Sequence, residues 1–159
     1  VFDQINGMPV HALVLHAAVV FVPLLALLAI VYAVVPRWRP KVGWAAVLMA
    51  IAAPVSAFAA MESGEKLRDR LVASGMAGPP LEKINDHQGF GTFTFYFSLA
   101  LGIVTLIAVF LTLRSTARPL PRAAGVLLAV LMVALAAVSG YYVFRTGDSG
   151  AQAVWGTTS

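Results

Sequence analysis

The residues best suited to chemistry in this chain are three histidines. His11 and His16 stand five positions apart near the start of an apolar run covering residues 8–32, and His87 introduces a second such run. An ionisable side chain in a membrane-spanning segment is costly enough to be treated as a functional site by default. Five positions turn an ideal helix by roughly 140°, so His11 and His16 cannot both address one small ion from an undistorted helix. The deeper His16 is expected to face the centre of the helices while His11 looks toward the outer surface, and His87 is expected to reach the same depth from a diagonal helix.

Two chemistries suit that arrangement. The first is a b-type haem ligated by His16 and His87, with His11 as the other candidate from its helix; histidine is a normal axial ligand, and bundle cores commonly hold cofactors. Gly89 and Gly91 leave room for a flat macrocycle, although Phe90, Phe93, Tyr96 and Phe97 are large enough to occupy the same slot. The second is a zinc or copper ion bound by some of His11, His16, His87, Glu62 and Glu65, because imidazole and carboxylate suit borderline ions. The third reading has no cofactor: His11 and His87 are interfacial polar groups, and His16 hydrogen-bonds a neighbouring helix, a contact worth about 1 kcal/mol in membranes. The sequence contains no Ser/His/Asp set, phosphate-binding glycine loop or paired buried acids, so independent catalytic activity is not indicated.

The elements that must position these histidines are membrane helices. Sixty per cent of the residues are hydrophobic and only 11% are charged, whereas soluble domains carry about 25% charged residues; the mean hydropathy is +0.85. Four apolar segments, residues 10–35, 42–61, 90–113 and 123–144, each reach the roughly 20 residues needed to cross the hydrocarbon as a helix. The expected fold is an all-α, four-helix transmembrane up-and-down bundle. An outer loop covers 62–86 and an outer tail 145–159, in a single domain without a 20 to 50 residue repeat.

Charge sets the orientation. The connections 36–41 and 114–122 hold six Lys/Arg and no acid, and they are placed in the cytoplasm by the positive-inside rule. Every acidic residue falls on the other side, so both termini face out. The residues before the first span include Asp3 and no Lys or Arg, which reads as a retained span and not a signal peptide. The net charge of +4 comes from these loop arginines and suits anionic lipid, not nucleic acid. With no cysteine, the chain offers no disulfide, thiolate or c-type haem attachment.

Local signals refine the elements. Asn6-Gly7 before Pro9 reads as a helix start, and Pro23 and Pro54 fall within spans where they can bend the helix. Ala46, Ala50, Ala53 and Ala57 favour close helix approach, as do Ala136 and Gly140. Residues 62–71 extend helix 2 as an amphipathic segment, and 75–80 break it. Asn85 reads as the N-cap of helix 3, with Gln88 three positions on. Arg145 with Asp148 reads as a surface pair, and the glycine-punctuated tail ending at Trp155 is expected to fold back over the outer mouth.

His11-x-x-x-x-His16 in span 1, Ser63-Gly64-Glu65 after span 2, His87 opening span 3, and Thr146-Gly147-x-Ser149-Gly150-Ala151 followed by Val154-Trp155 together resemble the bacterial four-span proteins of the domain of unknown function 2231 family. The family commonly has proline directly after the first histidine and often histidine in the tail motif, where this chain has Ala12 and Asp148. Some members are fused to Rieske-type iron–sulfur domains, an association that implies electron transfer. The expectation is therefore a small multi-pass protein of the bacterial cytoplasmic membrane, redox-associated, holding haem b or a metal ion near the extracytoplasmic face. The competing expectation is a non-catalytic accessory or structural subunit of a larger membrane complex or homo-oligomer.

Overall fold

In the computed structural model, which describes residues 4–5, 8–114 and 121–155, four helices follow one another: α1 (Val10–Val34), α2 (Arg39–Ala73), α3 (Pro79–Arg114) and α4 (Arg122–Trp155). A short antiparallel pairing of Gln4–Ile5 with Met8–Pro9 precedes α1, so Pro9 lies just before the helix. Each helix is long and apolar enough to cross a membrane. They pack as an up-and-down bundle whose walls are the pairs α1–α2, α2–α3, α3–α4 and α4–α1. Of the diagonals, α1 and α3 approach each other more closely than α2 and α4. Large apolar side chains such as Val20, Leu27, Phe110 and Leu127 point outward, as helices solvated by lipid require.

At one end of the bundle the helices run further than expected, although the extension of α2 over 62–71 is anticipated by the sequence. Most of residues 62–86 is helical: α2 continues to Ala73 and α3 begins at Pro79. The turn between them contains Gly75 and Gly78 with φ of +94° and +73°, a backbone region that glycine enters without a Cβ penalty. The Met76 amide donates to the Leu71 carbonyl and the Gly75 amide to that of Val72, each at 3.0 Å, which closes α2 with the hydrogen-bond pattern of a glycine C-cap. Asn85 is consequently no cap; it lies within α3, and its Oδ1 accepts from Arg68 Nε at 2.6 Å. The segment 145–155 does not fold back either, because α4 continues through it to Trp155. Pro23 and Pro54 stand inside continuous helices. The helix start at Asn6-Gly7, the interior of the basic connection at 115–120 and the last residues 156–159 lie outside the described residues.

The core is built from small side chains, and its pattern repeats. In α1 the buried residues are Ala18, Val22, Leu25, Ala26, Ala29, Tyr32 and Ala33; 76 positions on, Thr94, Ser98, Leu101, Gly102, Thr105, Ala108 and Val109 are the buried residues of α3. Likewise Ala46, Ala50, Ala53, Ala57 and Ala60 of α2 fall, 86 positions on, upon Met132, Ala136, Ser139, Val143 and Thr146 of α4, all buried. The bundle is thus two equivalent helical hairpins, α1–α2 and α3–α4, facing each other about a pseudo-two-fold axis that runs along the bundle. The period is longer than the 20 to 50 residue window in which no repeat was expected, and few of the paired residues are identical.

Candidate functional site: a histidine pair between two hairpins

His11, in the first turn of α1, and His87, in the third turn of α3, face each other across the α1–α3 diagonal. Their ring centroids are 6.3 Å apart and their planes stand at 84°. Both rings are half-buried.

Each histidine is held by the second helix of its own hairpin. His11 Nδ1 lies 3.0 Å from Ser63 Oγ and 3.1 Å from the Ala60 carbonyl, and Ser63 Oγ itself donates to that carbonyl at 3.0 Å. The serine's only proton is therefore used on the carbonyl, so Ser63 Oγ accepts from His11, and Nδ1 carries the hydrogen. His87 repeats the arrangement. Its Nδ1 is 3.1 Å from Ser149 Oγ, which donates to the Thr146 carbonyl at 3.2 Å. In both neutral rings Nε2 is then the nitrogen with an uncommitted lone pair.

A glycine follows each serine, and the reason is steric. A Cβ on Gly64 would come within 3.0 Å of His11 Cε1, and one on Gly150 within 2.9 Å of His87 Cε1. Ala60-x-x-Ser63-Gly64 and Thr146-x-x-Ser149-Gly150 are the same half-site in two copies, 86 positions apart.

The pair borders a cavity of about 460 Å³, lined mostly by apolar side chains such as Leu15, Val19, Leu67 and Ile84, with Arg68 and Gln88 among its few polar groups. Met61 and Met76 contribute thioethers to the same wall. Gly91 also lines it, with open space where a Cβ would stand. The α3 aromatics do not fill the cavity. Phe93 and Phe97 stack on Tyr142 at 5.1 and 5.2 Å, Tyr96 is exposed, and Phe90 lies 4.7 Å beneath the Arg145 guanidinium. Arg145 is therefore not the partner of Asp148, which instead accepts from Gln152 at 3.0 Å.

The other candidate residues are dispersed. His16 is exposed on the outer surface of α1, away from His87. Glu62 is half-buried and Glu65 exposed, and neither lines the cavity, because Met61, Gly64, Arg68 and Leu71 form the α2 face that does. Among the described residues no three of His, Cys, Asp and Glu converge on a point where a metal ion could be held. Sequence reasoning placed Ser63, Gly64, Ser149 and Gly150 only within a family pattern; the signal for their role is the recurrence of x-x-Ser-Gly at the end of both hairpins.

Fold and site together define a multi-pass helical membrane protein with a duplicated histidine half-site at one end. The chain belongs to the family described as predicted membrane protein, domain of unknown function 2231, which matches residues 7–158. No curated protein and no solved structure shows a significant match to it.

Proposed function

We propose that this protein is a redox-associated membrane protein of the bacterial cytoplasmic membrane in which His11 and His87 ligate one haem b iron near the extracytoplasmic face. The observation that carries this reading is the pair itself: two imidazoles from diagonal helices, both with Nδ1 hydrogen-bonded and Nε2 available. A metal–nitrogen bond of about 2 Å, with roughly 1 Å more to the ring centre, sets two imidazoles on opposite sides of one metal about 6 Å apart. The observed separation is 6.3 Å.

The donor count favours haem over bare zinc. Zinc takes three or four protein ligands, and no third His, Cys, Asp or Glu converges here among the described residues. A haem iron needs two at most, since the macrocycle supplies four nitrogens. The cavity lies within the roughly 300–1,000 Å³ of small-molecule and cofactor sites, and Arg68 and Gln88 offer polar contacts for carboxylate substituents. Bound haem would supply one-electron chemistry, while the protein holds the imidazoles and keeps the surroundings apolar. A single copper(I) ion is the second reading, supported by Met61 and Met76, because soft thioethers select that ion.

Absorption spectroscopy and elemental analysis of detergent-purified protein test both. The expected result is a Soret band with a six-coordinate, low-spin spectrum that His11→Ala and His87→Ala each abolish, and that His16→Ala leaves unchanged. Copper at one per chain without a Soret band selects the second reading. Protein that is colourless, metal-free and takes up neither haem nor copper overturns both, and leaves the accessory-subunit role.

A further inference from the structure

We infer that the site is a fused two-fold site: Ser63–Gly64 and Ser149–Gly150 are equivalent positioning pairs, each fixing its own histidine so that two like Nε2 lone pairs meet one electron-pair acceptor on the axis between the hairpins. The shared acceptor rests on the proposed function above; the positioning of the rings does not.

The duplication reaches the chemistry as well as the packing. Adding 76 to His11 gives His87, and adding 86 to Ala60, Ser63 and Gly64 gives Thr146, Ser149 and Gly150. These are the same offsets that superimpose the buried rows. Two half-sites related in this way cannot differ in the face they present: the serine accepts Nδ1–H, the carbonyl three residues before it takes the serine proton, and the glycine admits Cε1. A hydrogen-bonded Nδ1–H orients a ligating imidazole and raises the basicity of its other nitrogen. The class of ligand this suits accepts two equivalent nitrogen donors from opposite sides, as a metal centre does; a bridging proton or a small polar organic molecule would be served better by one donor and one acceptor.

The test uses the full chain, labelled with ¹⁵N-histidine and purified in detergent without added cofactor, with His16 as the internal reference. Both His11 and His87 are expected as Nδ1–H tautomers. Ser63→Ala and Gly64→Ala should shift the His11 signals, Ser149→Ala and Gly150→Ala those of His87, in the same sense and with no effect on the other hairpin's ring. A serine-to-threonine change, which keeps the hydroxyl, should restore the parent Nδ1 signal. In protein reconstituted with haem or copper, the two Ser→Ala variants should weaken affinity equally, by about 10–100-fold. An Nε2–H tautomer at either ring, or loss of affinity in only one of the two serine variants, overturns the equivalence. If the rings behave as stated but no haem or copper binds, the positioning stands and the proposed cofactor fails. If cofactor binds to rings that are not so held, the reverse holds.

Discussion

His11 and His87 meet because each stands in the phase of its helix's buried row. Ala18, Leu25 and Tyr32 follow His11 at intervals of seven, and Thr94, Leu101 and Ala108 follow His87 in the same way. Seven residues are close to two helical turns, so the imidazoles share the face that packs inward, and His16, five positions on from His11, is carried to the lipid side. The roughly 140° between the two histidines separates their faces without saying which one points inward; depth favours His16, whereas the seven-residue buried row selects His11. The same row holds a difference between the halves that can be measured. Thr94 and Thr146 place their hydroxyls 2.9 Å apart, and each also lies within hydrogen-bond distance of a carbonyl of its own helix, at 2.9 and 2.8 Å. Two protons serve three contacts, so a proton that joins the helices is withdrawn from one of the two carbonyls. The counterparts are Ala18 and Ala60, equally buried and apolar. Thr94→Ala and Thr146→Ala are each expected to destabilise by about 0.6 kcal/mol, the average for interhelical hydrogen bonds in membranes. The double substitution should cost less than the two added together, because it reproduces the Ala–Ala contact of the other hairpin. Reversible unfolding in mixed micelles gives the four stabilities of the cycle; strictly additive losses would mean that the two hydroxyls do not interact.

At the scale of helices, hydropathy located the spans but underestimated their length. α3 has 36 residues, about 54 Å at 1.5 Å per residue, against roughly 30 Å of hydrocarbon. Polar residues such as Lys66, Asp69 and Lys83 mark the departure from lipid and say nothing about where the helix stops. The stop is set by Gly75 and Gly78, which sequence reasoning did place in a break. The overlong ends of α2 and α3 are what wall the cavity, with Leu67, Arg68 and Leu71 facing Ile84 and Gln88; the extension of α2 over 62–71 is legible in the sequence, whereas the start of α3 at Pro79, ahead of Asn85, is not. The hairpins also differ in how closely they cross. At Gly102 a Cβ would lie 2.5 Å from the Ala50 carbonyl oxygen of α2, an obstruction by backbone that cannot rotate away. The equivalent position in α1 is Ala26, which carries that methyl group, so the α4–α1 crossing accommodates what the α2–α3 crossing excludes. Gly102→Ala is expected to destabilise by about 1–3 kcal/mol through overpacking and to separate α2 from α3. Thermal unfolding in detergent should show the loss, while Gly125→Ala, with nothing near the added methyl, should leave the transition unchanged.

For the molecule as a whole, the number of helices in the repeated unit decides where the site can be. A two-helix unit returns the chain to the side from which it started, so a second copy enters the membrane in the same direction, and the two are related by an axis along the membrane normal. Both histidines must then lie at one end. A unit of three helices would have inverted the second copy and put His11 and His87 on opposite faces. The charges obey the same symmetry: Arg37, Arg39 and Lys41 stand at the junction of α1 and α2, and Arg114 and Arg122 at the facing ends of α3 and α4. Arg39 is anchored there, its Nε and Nη2 donating to the Tyr32 and Ala33 carbonyls at 3.0 and 3.3 Å, which satisfies the otherwise open end of α1. With basic residues at both of these junctions and the histidine pair at the opposite end, the positive-inside rule leads us to expect the site outside the cytoplasm. The absence of native cysteine makes this directly measurable. A cysteine replacing exposed Ser74, in the α2–α3 turn, should react with a membrane-impermeant maleimide in intact spheroplasts, and one replacing exposed Lys41 only after the membrane is opened. The opposite pattern would turn the histidine end to the cytoplasm, and any electron carrier that meets the pair would then have to be a cytoplasmic one.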